Sequence, residues 1–171
     1  MARAKLKNAT LDNELIYSYA MTEKLGELED FINQKNNAKL PEIGKRLYEE
    51  KLYLAAKIIY KYIKDNSMLA RCYVHLKEFK NAVDAANDAG KIPVWKEVCF
   101  ACVVAEEFKL AQRCAMHIIV YTNHLMELCM HYEIHAYFDQ LIEVLEAGTQ
   151  LKRAHQGIFT QLGICYCKYT F

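Results

Sequence analysis

His124, His131 and His135 stand seven and four residues apart, so a single helix could turn all three imidazoles the same way. Zinc takes imidazole ligands from such a face. The order His-Tyr-Glu-Ile-His, however, puts the glutamate in the wrong place for a metalloprotease helix, and a partly exposed histidine patch is the preferred reading. Cys99 and Cys102 form a Cys-x-x-Cys pair, and Cys165 and Cys167 a Cys-x-Cys pair. Redox and zinc sites place the first spacing at a turn or helix start among Gly, Pro or polar residues. Here Val98, Phe100, Ala101 and Val103 surround it, which favours buried thiols acting as small hydrophobes.

Lys57, Lys61 and Lys64 fall at i, i+4 and i+7, a basic ridge that could receive an acidic partner helix or simply face water. They are the candidate partner-binding residues. Trp95, two residues after Pro93 on an apolar stretch, reads as core rather than as an interface anchor. No Ser/His/Asp order, apolar pair of acids or glycine-rich phosphate loop supplies the positioned groups that catalysis needs. No catalytic residue, cofactor or metal is therefore expected, and all seven cysteines are expected to be reduced.

The elements that carry these residues follow from a repeat. Leu25, Tyr53, Phe79, Phe108 and Phe138 each open a short apolar stretch, at intervals of 28, 26, 29 and 30 residues. Three positions after each stands a small or aliphatic residue: Leu28, Ala56, Ala82, Ala111 and Leu141. A period between about 20 and 50 residues marks a solenoid, because one helix pair cannot bury its apolar face alone. The five anchors are expected to be buried between successive pairs.

With 6 Gly and 2 Pro among 171 residues, little material exists for strands or tight turns, and an all-α chain is expected. Asp12 or Asn13 is predicted to cap the first helix, through Leu15, Ile16 and Tyr19, and a second runs from Gly26 through Ile32. Residues 33–37 form a loop, and Pro41 opens the next helix as its first residue. Tyr53–Ile63, Met68–Leu76 after an Asp65–Ser67 cap, and Phe79–Ala89 closed by Gly90 follow. Pro93 opens another, and Phe108–Tyr121, Thr122–Ile134, Phe138–Ala147 and Arg153–Tyr166 bring the total to ten or eleven. Residues 1–171 read as one α-solenoid segment of about 30 residues per helix pair. Its apolar last stretch, Ile164–Phe171, reads as a slice of something longer whose exposed repeat face promotes self-association.

Residues 1–80 carry 15 Lys/Arg against 11 Asp/Glu, and residues 81–171 carry 7 against 10. Neither half has the dense basic stripe of a nucleic-acid surface. The longest apolar run, Val98 to Ala105, is far short of a membrane span. The basic start, Met1–Lys7, lacks the apolar stretch of a signal peptide, so a reducing cytosol is expected.

The block Trp95-Lys-Glu-Val-Cys-Phe-Ala-Cys-Val103, with Glu107-Phe108 and Leu110-Ala-Gln112, resembles the proximal-leg solenoid of clathrin heavy chains. So do Leu28–Asn33, Asn36–Ala38, Tyr53 with Ala55–Lys57, Tyr137-Phe138, Arg153–His155 and Phe159-Thr160. The resemblance implies a coat subunit at the cytoplasmic face of coated pits and vesicles, with clathrin light chain and neighbouring heavy-chain legs as partners. Nucleic acid and membrane insertion are not implied. Where that family usually has turn glycines, this chain has Lys77, Ala105 and Ala136, each an expected site of strain. The family's β-propeller and trimerisation segment have no counterpart in these residues, so neither adaptor-peptide binding nor cage formation by this chain alone is implied. A free-standing tetratricopeptide-like adaptor is the alternative, against which stands the absence of its 34-residue pattern.

Overall fold

The computed structural model describes residues 2–169, with side chains from residue 8 onward. Among the described residues there are eleven α-helices and no strand. They fall into two compact units, residues 1–89 and 90–171. The first holds α1 (Ala2–Met21), α2 (Leu25–Asn33), α3 (Leu40–Glu49), α4 (Tyr53–Ile63), α5 (Asn66–His75) and α6 (Phe79–Ala89). The second holds α7 (Ile92–Val104), α8 (Phe108–Ile118), α9 (Thr122–Ile134), α10 (Phe138–Thr149) and α11 (Gln156–Tyr169).

Within each unit consecutive helices pack as antiparallel hairpins, and alternate helices stack on one another: α1 on α3, α2 on α4, α8 on α10 and α9 on α11. This is an α-solenoid. The five anchors open the second helix of each hairpin, α2, α4, α6, α8 and α10. The anchors themselves are half-buried rather than buried, because a helix's first residue lies at the rim of the stack. The fully buried layer lies one turn deeper, at Leu28, Ala56, Ala82, Ala111 and Leu141. Small residues also let axes approach closely. At Gly44 of α3 a Cβ would sit 3.1 Å from Ile59 and 3.3 Å from the Tyr60 ring of α4.

The hairpin turns repeat as strictly as the core. Two residues before each anchor the backbone is left-handed: Glu23 (φ 56°), Lys51 (63°), Lys77 (59°), Glu106 (60°) and Ala136 (59°). The next N–H then donates back five residues, from Lys24 to Tyr19, Leu52 to Leu47, Glu78 to Tyr73, Glu107 to Cys102 and Tyr137 to Tyr132, at 2.9–3.0 Å. This closure satisfies a helix-end carbonyl but requires positive φ, which glycine adopts most readily. Strain thus falls at Lys77 and Ala136 as expected. Ala105 is ordinary (φ −85°), and its neighbour Glu106 carries the strain instead.

Other boundaries move for identifiable reasons. α1 begins upstream of Asp12 and Asn13, which do not cap it. Their side chains accept from the N–H groups of Asn37 (2.6 Å) and Lys39 (2.9 Å), tying down the loop before α3. Pro41 and Pro93 are the second residues of their helices, not the first. Asp65 does cap α5, accepting from the Met68 N–H at 3.1 Å. α8 stops at Ile118 rather than Tyr121, and α11 spans Gln156–Tyr169 rather than starting at Arg153. In the last stretch Ile164 is exposed, while Phe171 lies outside the described residues. No helix among the described residues is long and apolar enough to cross a membrane.

Candidate functional site

α4 buries Ala55, Ala56, Ile59 and Tyr60 and turns its other side to the surface. Beside it runs an open groove of about 470 Å³. Ile32, Ile58, Tyr62 and Tyr73 give it apolar walls, and Lys57, Lys61, Glu29 and Glu78 give it charge. Lys57 donates to Glu78 at 2.9 Å and lies 5.6 Å above the Tyr73 ring. That bond, with a second from Asn81, holds the Glu78 carboxyl below the usual carboxylate range. A partly exposed pair of this kind contributes about 0–1 kcal/mol, so it orders the groove wall more than it stabilises the fold.

Of the expected basic ridge, the groove gathers Lys57 and Lys61 but not Lys64. Lys64 ends α4 in left-handed conformation (φ 58°), so the helical phase that would align it with the other two stops one residue short. The Asp65 N–H then donates to the Tyr60 carbonyl at 3.0 Å, and Asp65 starts α5.

The thiols form a buried cluster between α7, α8 and α9. Cys99 donates to the Ala111 carbonyl at 3.4 Å, and Cys114 is hydrogen-bonded to Cys102. Burial raises the Cys99 pKa, and the bond to Cys102 together with burial raises that of Cys114. Burial likewise pushes the Cys72 and Cys129 thiols to about 12. Thiols held protonated are poor nucleophiles and poor ligands. All seven cysteines are free thiols, and only Cys167 is exposed.

Tyr132 of α9 is fully buried in the same region, and its hydroxyl has no hydrogen-bond partner. An unsatisfied buried hydroxyl carries its desolvation penalty, of about 1–3 kcal/mol. Tyr132→Phe is therefore expected to stabilise the chain, read as a higher urea midpoint with unchanged slope; a lower midpoint contradicts the unpartnered hydroxyl.

The three histidines do not converge. His131 lies on the Phe100 ring (centroids 4.2 Å apart), with its Nε2 3.2 Å from the Phe100 carbonyl. His135 meets it edge-on at 4.9 Å, whereas His124 lies against Tyr121. Among the described residues no three His, Cys, Asp or Glu side chains are arranged to hold a metal ion. Trp95 is buried and stacks on His117 at 4.0 Å, as Tyr53 does on His75 at 4.2 Å. These aromatic–histidine stacks were not anticipated. The one available signal was the 22-residue separation shared by Tyr53–His75 and Trp95–His117.

Burial lowers the pKa values of His117 and His131, so both imidazoles favour the neutral form. The unfolded chain, titrating near 6.5, takes up these protons first. Stability is then full above that value and declines as pH falls through it. Thermal midpoints are expected to drop between about pH 7 and pH 5, and His131→Gln, which keeps a donor for Phe100, should flatten the decline. A variant with the wild-type slope would remove His131 from the account.

Residues 1–110 match the family profile described as a region in clathrin and VPS proteins. The chain belongs to the clathrin heavy-chain repeat family. It is 50% identical over 171 residues to Clathrin heavy chain 1 of Arabidopsis thaliana, covering all of this chain and 10% of that protein. Over 169 residues it is 47% identical to Clathrin heavy chain of Drosophila melanogaster and 45% to Clathrin heavy chain 2 of Homo sapiens, covering 99% of this chain and 10% of each. The chain thus spans about a tenth of the length of these clathrin relatives. Its hairpin repeat, with buried small residues one turn inside each anchor, is the form this clathrin family's repeat takes here.

Proposed function

We propose that this chain is a structural element of a clathrin coat, a proximal-leg segment whose helix-pair surface packs on clathrin light chain and on neighbouring legs at the cytoplasmic face of coated vesicles. The observation that carries this reading is the 45–50% identity to clathrin heavy chains over 169 or more residues. The role needs no catalytic group. Residues 1–171 then act as one scaffold segment of a longer heavy-chain architecture, and the surface beside α4 is the candidate place for an extended partner helix.

The test is capture of purified clathrin light chain by this chain at low and high salt. Weak capture that salt weakens further supports the reading and assigns a part to Lys57 and Lys61, since exposed charge pairs are screened. Capture indifferent to salt removes the lysines from it, and no capture at either salt removes the light chain.

A further inference from the structure

Two exposed ridges on this molecule match. On α4, Leu54, Ile58 and Tyr62 recur at i, i+4 and i+8, and Leu54 and Tyr62 are 48% and 49% exposed. On α9, Met126, Met130 and Ile134 recur at the same spacing and are 52%, 53% and 75% exposed. Each ridge runs about 12 Å, two helical turns.

Their surroundings differ in sign. α4 carries lysines and no acid, whereas α9 carries Glu127 and Glu133 and no lysine or arginine. The two glutamates lie three residues either side of Met130, so they flank its ridge on both sides. Each has a local partner, Lys96 for Glu127 and the Tyr169 hydroxyl for Glu133 (2.8 Å), as Lys57 has Glu78. Glu127 nevertheless stays half-exposed, and Lys61 and Lys64 are exposed. The two ridges also differ in shape. Ile58 and Tyr62 of α4 line the groove, whereas the α9 ridge stands proud on its helix.

We propose that a second copy of this chain docks head to tail, the Met126–Met130–Ile134 ridge of one copy seated in the groove beside α4 of the next, with Glu127 and Glu133 towards Lys61 and Lys64. Groups of three large apolar side chains left in water on helices of opposite charge mark complementary surfaces. Each copy carries one ridge and one groove, so the contact is heterologous and propagates instead of closing as a symmetric dimer. This deepens the scaffold reading by naming the faces that neighbouring copies share. Light-chain capture reports on that reading independently.

Complementation of the full chain tests the docking. Tyr62→Asp blocks the groove and Met130→Asp blocks the ridge; both sites are surface positions, and helical circular dichroism and melting verify each fold. Sedimentation equilibrium of the wild type is expected to show mass rising with concentration past the dimer, and rising less at high salt. Each variant alone is expected to stay monomeric, and their equimolar mixture to form a one-to-one dimer and nothing larger, because one groove and one ridge remain intact between them. A wild type that stays monomeric, a single variant that still assembles, or a mixture that stays monomeric overturns the proposal.

Discussion

Leu141→Ala is expected to destabilise the chain by about 2–5 kcal/mol, the range for deleting a fully buried leucine side chain in a core that relaxes only partly. Leu141 has no exposed surface and sits one turn inside α10, in the layer shared with Leu28, Ala56, Ala82 and Ala111. Phe138→Ala removes more atoms from the same helix, yet Phe138 is half-buried at its first residue, stacked on Tyr169 at 4.1 Å. Its loss should cost less than that of Leu141. Chemical denaturation of both variants measures the order directly, and a Phe138 variant weaker than the Leu141 variant would place the core at the anchors after all.

The second large effect has the opposite sign. Replacing Glu23, Lys51, Lys77, Glu106 and Ala136 together by glycine should stabilise the chain. Left-handed backbone costs a residue with a Cβ about 1–2 kcal/mol, which glycine avoids. Glycine's greater freedom in the unfolded chain returns about 0.5–1 kcal/mol of that. The five turns are separate in sequence and their gains should add, to about 3 kcal/mol in all. For a chain of this size each kcal/mol moves the melting temperature by about 2–4 °C, so a scanning calorimeter resolves the sum. Ala105→Gly is the control: its φ is −85°, so the substitution should lower the melting temperature.

The same contrast shows what was legible in the sequence. Periodicity of 26 to 30 residues located all five second helices, because a solenoid repeats its core in its sequence. It did not locate the burial maximum, which belongs to the small residues one turn further in; large aromatic type is a poor guide to depth at a helix's first position. Turn strain was legible at Lys77 and Ala136 but one residue off at Ala105, since the closing bond from Glu107 to Cys102 fixes which residue must be left-handed.

The candidate site was half legible for a related reason. Spacing in a sequence assumes a helix that continues, and α4 stops at Ile63, so Lys57 and Lys61 reach the groove and Lys64 does not. The glutamate and aromatic walls of that groove come from α2, α5 and the turn before α6, and contacts between separate helices leave no local pattern. Asp12 and Asn13 misled similarly: residue types suited to capping a helix serve a loop 25 residues away.

Because each helix in a unit leans only on its nearest and next-nearest neighbours, the chain is built like a zip fastener. Load applied along it has no distant contact to break all at once. It would peel one hairpin at a time, and each release of 26 to 30 residues would lengthen the chain by about 90–105 Å at full extension, at about 3.3–3.6 Å per residue. Such a segment gives way in short, recoverable steps while the remaining hairpins keep their shape, a spring rather than a strut.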